Sequence, residues 1–180
     1  MILEPVKPFR SCEYAVKTTT EAWEYRAART LRQTVFCQEQ RLFEDNDDDA
    51  HDHHAITIVA LAYVAGGPEE VVGTVRIHSD RPGIWYGSRL AVARGYRRDA
   101  HLGSALIRLA VGHARALGCE SFFAQVQAAN EALFQRLHWH TLRYQTLHGL
   151  EHALMRADLS HYPPLPEGRL PLLTRARRAS

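Results

Sequence analysis

The stretch SRLAVARGYRRDAHLGSAL, from Ser88 to Leu106, constrains this chain more than any other. It reads as a buried strand through Leu90, Ala91 and Val92, an arginine-bearing turn at Arg97 and Arg98, and a helix opening near Gly103. The first turn of such a helix leaves backbone N–H groups without intrahelical partners, and the helix dipole adds to them, so the junction is built to receive an anion. An ordinary strand-to-helix connection with solvated arginines satisfies the same local pattern. The helix runs from Leu102 to Leu117, with Ala105, Leu106, Leu109, Ala110, His113, Ala114 and Leu117 on one apolar face and Gly118 as its stop. A short strand, Ser121 to Val126, follows, and Asn130 opens a second helix ending at His138-Trp139.

The chain has 180 residues, 46% of them hydrophobic, which is enough for one sizeable core. A net charge of +2 gives no drive toward nucleic acid or membrane, and neither is expected as a partner. No apolar run is long enough to span a bilayer and no signal-like segment opens the chain, so a cytoplasmic setting is expected. Cys12, Cys37 and Cys119 are widely spaced and form neither a disulfide framework nor a metal-ligand pattern.

Glu13 to Lys17 reads as a first strand. Thr18-Thr19-Thr20 then caps a helix from about Glu21 to Phe36 with Ala28, Leu31 and Val35 as its stripe. The acidic, turn-rich segment from Gln40 to Asp52 carries Asp45, Asp47, Asp48 and Asp49. A nearly all-apolar strand, Ala55 to Val64, is expected at the centre of the sheet. Gly66-Gly67-Pro68 turns into a third strand, Val71 to His78, with Val71, Val75 and Ile77 on one face and Val72, Thr74, Arg76 and His78 on the other. The fourth strand runs from Ile84 to Val92, and a hairpin across His148-Gly149 joins Thr141–Leu147 to His152–Leu159. One domain over 1–162 followed by an irregular tail over 163–180 is the expected organisation.

The junction Arg98-Asp99-Ala100-His101-Leu102-Gly103 resembles the acetyl-CoA-binding signature of the GNAT acyltransferases, with the first arginine and last glycine matching and His101 in place of the middle glycine. Leu31-Arg32-Gln33-Thr34-Val35-Phe36-Cys37-Gln38-Glu39-Gln40, followed by the aspartates and a histidine, is similar to a branch of small bacterial acetyltransferases. Val72 to His78 with Gly87 to Val92 resembles the nitrogen-starvation N-acetyltransferases. Arg32-Gln33-Thr34-Val35-Phe36 with Ser88-Arg89-Leu90 resembles, more distantly, the acyl-homoserine-lactone synthases, which usually carry a glutamate where Tyr86 stands.

This resemblance implies an α/β fold with a mixed, mostly antiparallel central sheet flanked by helices, its fourth and fifth strands splayed. It implies acetyl-CoA as acyl donor and direct attack by a small primary amine on the thioester. Leu90, Ala91 and Val92 would pair with the pantetheine arm. Arg97, Arg98, Asp99, Ala100, His101, Leu102, Gly103 and Ser104 would hold the pyrophosphate, with Asn130 near the thioester. Phe134 occupies the position of a tyrosine that protonates the departing thiolate in many relatives, and it has no proton to give; Tyr86, Tyr144 or water are the substitutes. A longer acyl donor, carried by CoA or by an acyl-carrier protein, and a non-catalytic acetyl-CoA-binding domain are the alternatives. A homodimer through the C-terminal strands would follow the family's habit.

Glu39 is the candidate general base, against the reading of a surface glutamate at a helix end. Arg32 is a candidate clamp for a substrate carboxylate and equally a structural tie to the aspartates. Arg76 and Arg89, on strands that meet the cleft in this fold, are candidate substrate contacts. Each needs an acidic neighbour or an anionic ligand, and the ion pair is the favoured reading. His51-Asp52-His53-His54 with the preceding aspartates tempts a metal reading, but contiguous residues point to alternating sides, and no metal is expected.

Overall fold

The nine residues ITIVALAYV are apolar except for one threonine, and such a run suits a strand buried on both faces. In the computed structural model, which describes residues 13–98 and 101–174, this run is β2 (Ile56–Val64), with Ile58, Val59 and Ala60 fully buried. Around it in chain order are β1 (Glu13–Thr18), α1 (Ala22–Gln33), β3 (Gly67–Arg81), β4 (Ile84–Val92), α2 (Leu102–Ala116), β5 (Ser121–Gln127), α3 (Glu131–Arg136), β6 (Trp139–Leu147), β7 (Leu150–Ala157) and β8 (Leu173–Thr174). The strands form one eight-stranded sheet in the order β6-β7-β5-β4-β3-β2-β1-β8. Among the described residues only the β4–β5 pair is parallel. The expected α/β architecture is therefore the observed one.

Helix α2 covers one face of the sheet, where Leu102, Leu106 and Leu109 pack on Ile58, Ala60, Val75 and Ile77. Helix α1 covers the other, with Ala28 and Leu31 against Val59, Leu61 and Val71. Each fully buried aliphatic side chain contributes about 1.5–3 kcal/mol, so these two layers carry most of the fold.

Several boundaries differ from the sequence reading. The turn between β2 and β3 is Ala65-Gly66, both at positive φ, so β3 already begins at Gly67. Strict alternation along β3 fails because its register with β2 slips between Ala60 and Leu61. This bulge sends Val72 to the α2 side with Val75 and Ile77, and Val71 to the α1 side. The first helix does not run regularly to Phe36. From Thr34 to Glu39 it widens into a π-helix, closed by the Gln40 N–H bonding to the Val35 carbonyl. The second C-terminal helix is shorter than expected. A 3₁₀ turn over Ala128–Asn130 precedes α3, and His138, at φ +64°, swings Trp139 into β6.

The segment after Pro163 is less irregular than expected. Leu165, Leu170 and Leu173 pack on the core, and Leu173-Thr174 pairs with β1 as the outermost strand. The Thr18 N–H donates to the Gly168 carbonyl at 2.7 Å and the Leu170 N–H to the Val16 carbonyl at 2.9 Å. Among the described residues, no helix is long and apolar enough to cross a membrane.

Candidate active site

Strands β4 and β5 pair only from Ile84–Ser121 to Gly87–Ala124. Beyond that point β4 stays with β3, β5 stays with β7, and the two part. The splay leaves the β4 edge at Leu90, Ala91 and Val92 without a strand on its β5 side. It opens a cleft of about 500 Å³. One end, on the α1 side of the sheet, is lined by Phe36, Phe43, His51, His78, Tyr86 and His148. The other reaches Ile107, Ala110, Phe122, Phe134 and Trp139. Gln127 Nε2 donates to Gln40 Oε1 at 2.9 Å, tying β5 to the end of the π-helix.

A bulge in β4 shapes the cleft wall. Two residues, Arg89 and Leu90, stand where β3 offers only Val75, and Arg89 takes φ +56°. For a non-glycine residue that conformation costs about 1–2 kcal/mol. Its guanidinium is anchored in return: Nη2 donates to the Asp47 carbonyl at 2.9 Å and Nε lies 2.9 Å from Asp47 Oδ2, with the planar group over the Phe43 ring.

Arg89 belongs to a larger network that ties the acidic segment to the sheet. Asp47 is 2% exposed and Arg32 only 1%. Arg32 Nε donates to Asp47 at 2.8 Å and its Nη1 to Asp52 at 2.7 Å, and Arg76 grips Asp49 with two bonds of 2.8 Å. Arg29 reaches Asp48. Burial alone would weaken these charges. For Arg32, the hydrogen bonds to Asp52 and Asp47 outweigh burial and raise its pKa. For Asp52 and Asp49, burial is outweighed by Arg32 and Arg76 respectively, holding both carboxyls below their usual range. Arg89 moves the other way, lowered by burial and by the neighbouring Arg76. The three arginines expected near the substrate are thus brought together, each already matched by loop aspartates.

Glu39 lies apart from the cleft lining and bonds to Arg97 at 2.5 Å, while Arg97 Nε donates to the Val92 carbonyl at 3.0 Å. Arg98 is exposed. Asp99 and Ala100, also expected at the pyrophosphate, lie outside the described residues. His101 sits at φ +52°, ψ +41°, the left-handed conformation glycine adopts freely, immediately before α2. Among the described residues no side chain caps that helix, and the N–H groups of its first turn, at Leu102, Gly103 and Ser104, are suited to an external acceptor. A side chain at Gly103 would meet no atom within 4 Å, which leaves the approach open. Asn130 lines the cleft, and Phe134, 6% exposed, packs edge-on against Trp139 with centroids 5.0 Å apart.

Tyr86 is part of an aromatic row that sequence reasoning did not assemble. His78 on β3, Tyr86 on β4 and Phe123 on β5 are register neighbours, with successive ring centroids 5.7 Å apart. His51 stacks on His78 at 3.9 Å. The available signal was the same-face spacing of His78 with Arg76, which put a second polar side chain toward the cleft. Among the described residues, no group of three or more His, Cys, Asp or Glu side chains is disposed to hold a metal ion.

A mixed sheet that parts between two parallel strands beside a helix N-terminus offers an extended arm a strand edge and an anion a helix start. The chain belongs to the acetyltransferase (GNAT) family, whose sequence model matches residues 18–139, and that family acts on acyl-CoA donors. Its fold is similar to that of a Lactobacillus plantarum protein named as an N-acetyltransferase (17% identity, TM-score 0.70, covering 80% of this chain and 97% of that one). It is also similar to an acyl-CoA N-acyltransferase from Pseudomonas aeruginosa (20% identity, TM-score 0.64, 81% and 99%). Escherichia coli ElaA is a third (18% identity, TM-score 0.61, 81% and 98%). No curated protein matches the sequence.

Proposed function

We propose that this protein is an acetyl-CoA-dependent N-acetyltransferase that moves the acetyl group to a small primary amine by direct attack on the thioester. The observation that carries the reading is the parting of β4 and β5 beyond Gly87 and Ala124 beside the start of α2. The edge at Leu90, Ala91 and Val92, unpaired with β5, is suited to the amides of a pantetheine arm, and the N–H groups of Leu102, Gly103 and Ser104, with Arg97 and Arg98, to a pyrophosphate. We assign Glu39 the positioning of Arg97 at that junction, through their 2.5 Å bond. Arg32, Arg76 and Arg89 act on the acceptor through the aspartate loop they hold against the cleft wall. The resemblance to nitrogen-starvation N-acetyltransferases supports a nitrogen-bearing metabolite as acceptor.

One observation favours a second reading. The inner end of the cleft is apolar, lined by Ile107, Ala110, Phe122, Val126, Phe134 and Trp139, which suits an acyl chain longer than acetyl. Calorimetric titration with acetyl-CoA, dephospho-CoA and octanoyl-CoA tests both. Micromolar binding of acetyl-CoA, about −8 kcal/mol, is expected. Gly103→Asp, which sets a carboxylate against the phosphates, abolishes it. Unchanged binding by that variant removes the pyrophosphate assignment, and preference for octanoyl-CoA moves the reading to the longer donor.

A further inference from the structure

The charges at the α1-side end of the cleft are spent on one another: Arg76 is held by Asp49, Arg89 by Asp47 and Asp49, and Arg32 by Asp47 and Asp52. What that end presents to a ligand is flat and weakly polar. His78, Tyr86 and Phe123 lie side by side across three strands, and Phe43 with His148, centroids 4.8 Å apart, lines the same cleft. Two buried nitrogens there, Nδ1 of His51 and Nδ1 of His78, have no hydrogen-bond partner among the described residues. The two rings are stacked at 21°, so their in-plane nitrogens pass one another and cannot bond together. Burying an unpaired polar nitrogen is costly, and His78 is 7% exposed.

Resting on the transferase reading above, we propose that this end of the cleft takes a small aromatic amine, uncharged at neutral pH, and that the His78 imidazole receives the proton its nitrogen loses during transfer. The aromatic row suits a planar ring by stacking. The buried arginines and aspartates of this wall are matched to one another, so the ring is held by stacking rather than by those charges.

The electrostatics of His78 agree with this geometry. Burial first, then His51, Arg76 and His54, push its pKa down to about 4, with Asp49 opposing. Tyr86 on β4, Asp80 further along β3, and His148 and His152 also line the cleft. So weak a base cannot strip an alkylammonium, which holds its proton orders of magnitude more tightly. It is suited to the far more acidic N–H⁺ of a tetrahedral adduct. The amine lone pair forms the C–N bond to the thioester carbonyl carbon, and the carbonyl pair moves onto oxygen. The adduct's nitrogen then passes one proton to His78, the C=O bond re-forms, and the C–S bond breaks with its pair on sulfur. The departing thiolate takes the proton back from His78, directly or through water. Amine and thioester become amide and thiol with no net proton released, and Phe134 need donate nothing.

Thiol release from acetyl-CoA, with p-anisidine, 4-methoxybenzylamine and spermidine as probe acceptors, tests the proposal. The expected result is turnover of p-anisidine in preference to the other two. His78→Gln should lower kcat for p-anisidine by about a hundredfold while leaving acetyl-CoA affinity unchanged by calorimetry. In the native protein the His78 ring resonances should shift on adding p-anisidine and not on adding spermidine, which keeps the proposal testable if the variant fails to fold. Binding of acetyl-CoA with turnover of only the alkylamines, or of no probe, overturns the acceptor class alone. Turnover of p-anisidine that survives His78→Gln overturns the role of His78. Failure to bind acetyl-CoA overturns the transferase reading together with this one.

Discussion

At the scale of single residues, His101 has the clearest energetic consequence. Its left-handed backbone, at φ +52°, is disfavoured by its Cβ, and its exposed side chain makes no cap to α2. Replacing it with glycine removes about 1–2 kcal/mol of native-state strain and returns part of that gain as extra entropy in the unfolded chain. His101→Gly is therefore expected to stabilise the protein by about 0.5–1 kcal/mol, raising Tm by about 1–4 °C. A thermal unfolding curve that moves downward would mean that the imidazole makes a contact worth more than the strain. The substitution left its mark in the sequence as a missing glycine, and the structure gives that mark its backbone angle. Arg89 carries a similar cost, and nothing in its neighbourhood of sequence announced it. Its φ follows from the bulge, and the bulge follows from pairing with β3.

At the scale of elements, the contact between α2 and the returning C-terminal segment is tight. A Cβ on Gly112 would lie 2.7 Å from Leu165 Cδ1 and 2.9 Å from the Pro163 carbonyl oxygen, and the Leu165 N–H donates to the Gly112 carbonyl at 2.9 Å. His113 Nδ1 also lies 3.0 Å from the Leu165 carbonyl oxygen. Because a backbone atom stands in the way, the segment cannot simply repack. Gly112→Val is expected to destabilise by about 1–3 kcal/mol, read as a lower urea midpoint with an unchanged slope. Limited proteolysis near Pro163 should become faster in the same variant, as the segment loses its seat. An unchanged midpoint would show that residues 163–174 move aside without cost. Composition alone made this stretch look irregular, because its pairing partner, β1, lies at the far end of the chain.

For the molecule as a whole, the buried charge network and His78 set how stability depends on pH. The His78 pKa falls from 6.5 to about 4 on folding, so between those values the unfolded chain binds a proton that the folded chain refuses. Stability is therefore full above about pH 6.5 and declines as pH falls toward 4, by on the order of 2–3 kcal/mol. Asp49 and Asp52 are also depressed on folding, Asp52 the more strongly. The stability they lend is present above the unfolded carboxyl range and is lost below about pH 4, where the decline steepens. Urea midpoints measured across this range should show both phases, and His78→Gln should flatten the upper one while leaving the lower. A single carboxyl-range transition in the native protein would mean that His78 is protonated without strain.

Periodicity carried most of the architecture. The bounds of β4, the core stripe of α2 and the turn at His148-Gly149 appear where alternation, helical spacing and turn residues put them, because each depends on neighbours a few residues away. The start of α2 at Leu102 was legible for the same reason. Tertiary structure alone decided the partners of the charged residues. Arg32 meets Asp47 across 15 residues of chain and Arg89 meets it across 42, and no local pattern encodes such a meeting. It also decided that Glu39 turns to Arg97 and that His51 comes to rest on His78. A strand's faces are fixed by the next few residues, whereas the contents of a cleft depend on which distant segments the completed sheet brings together.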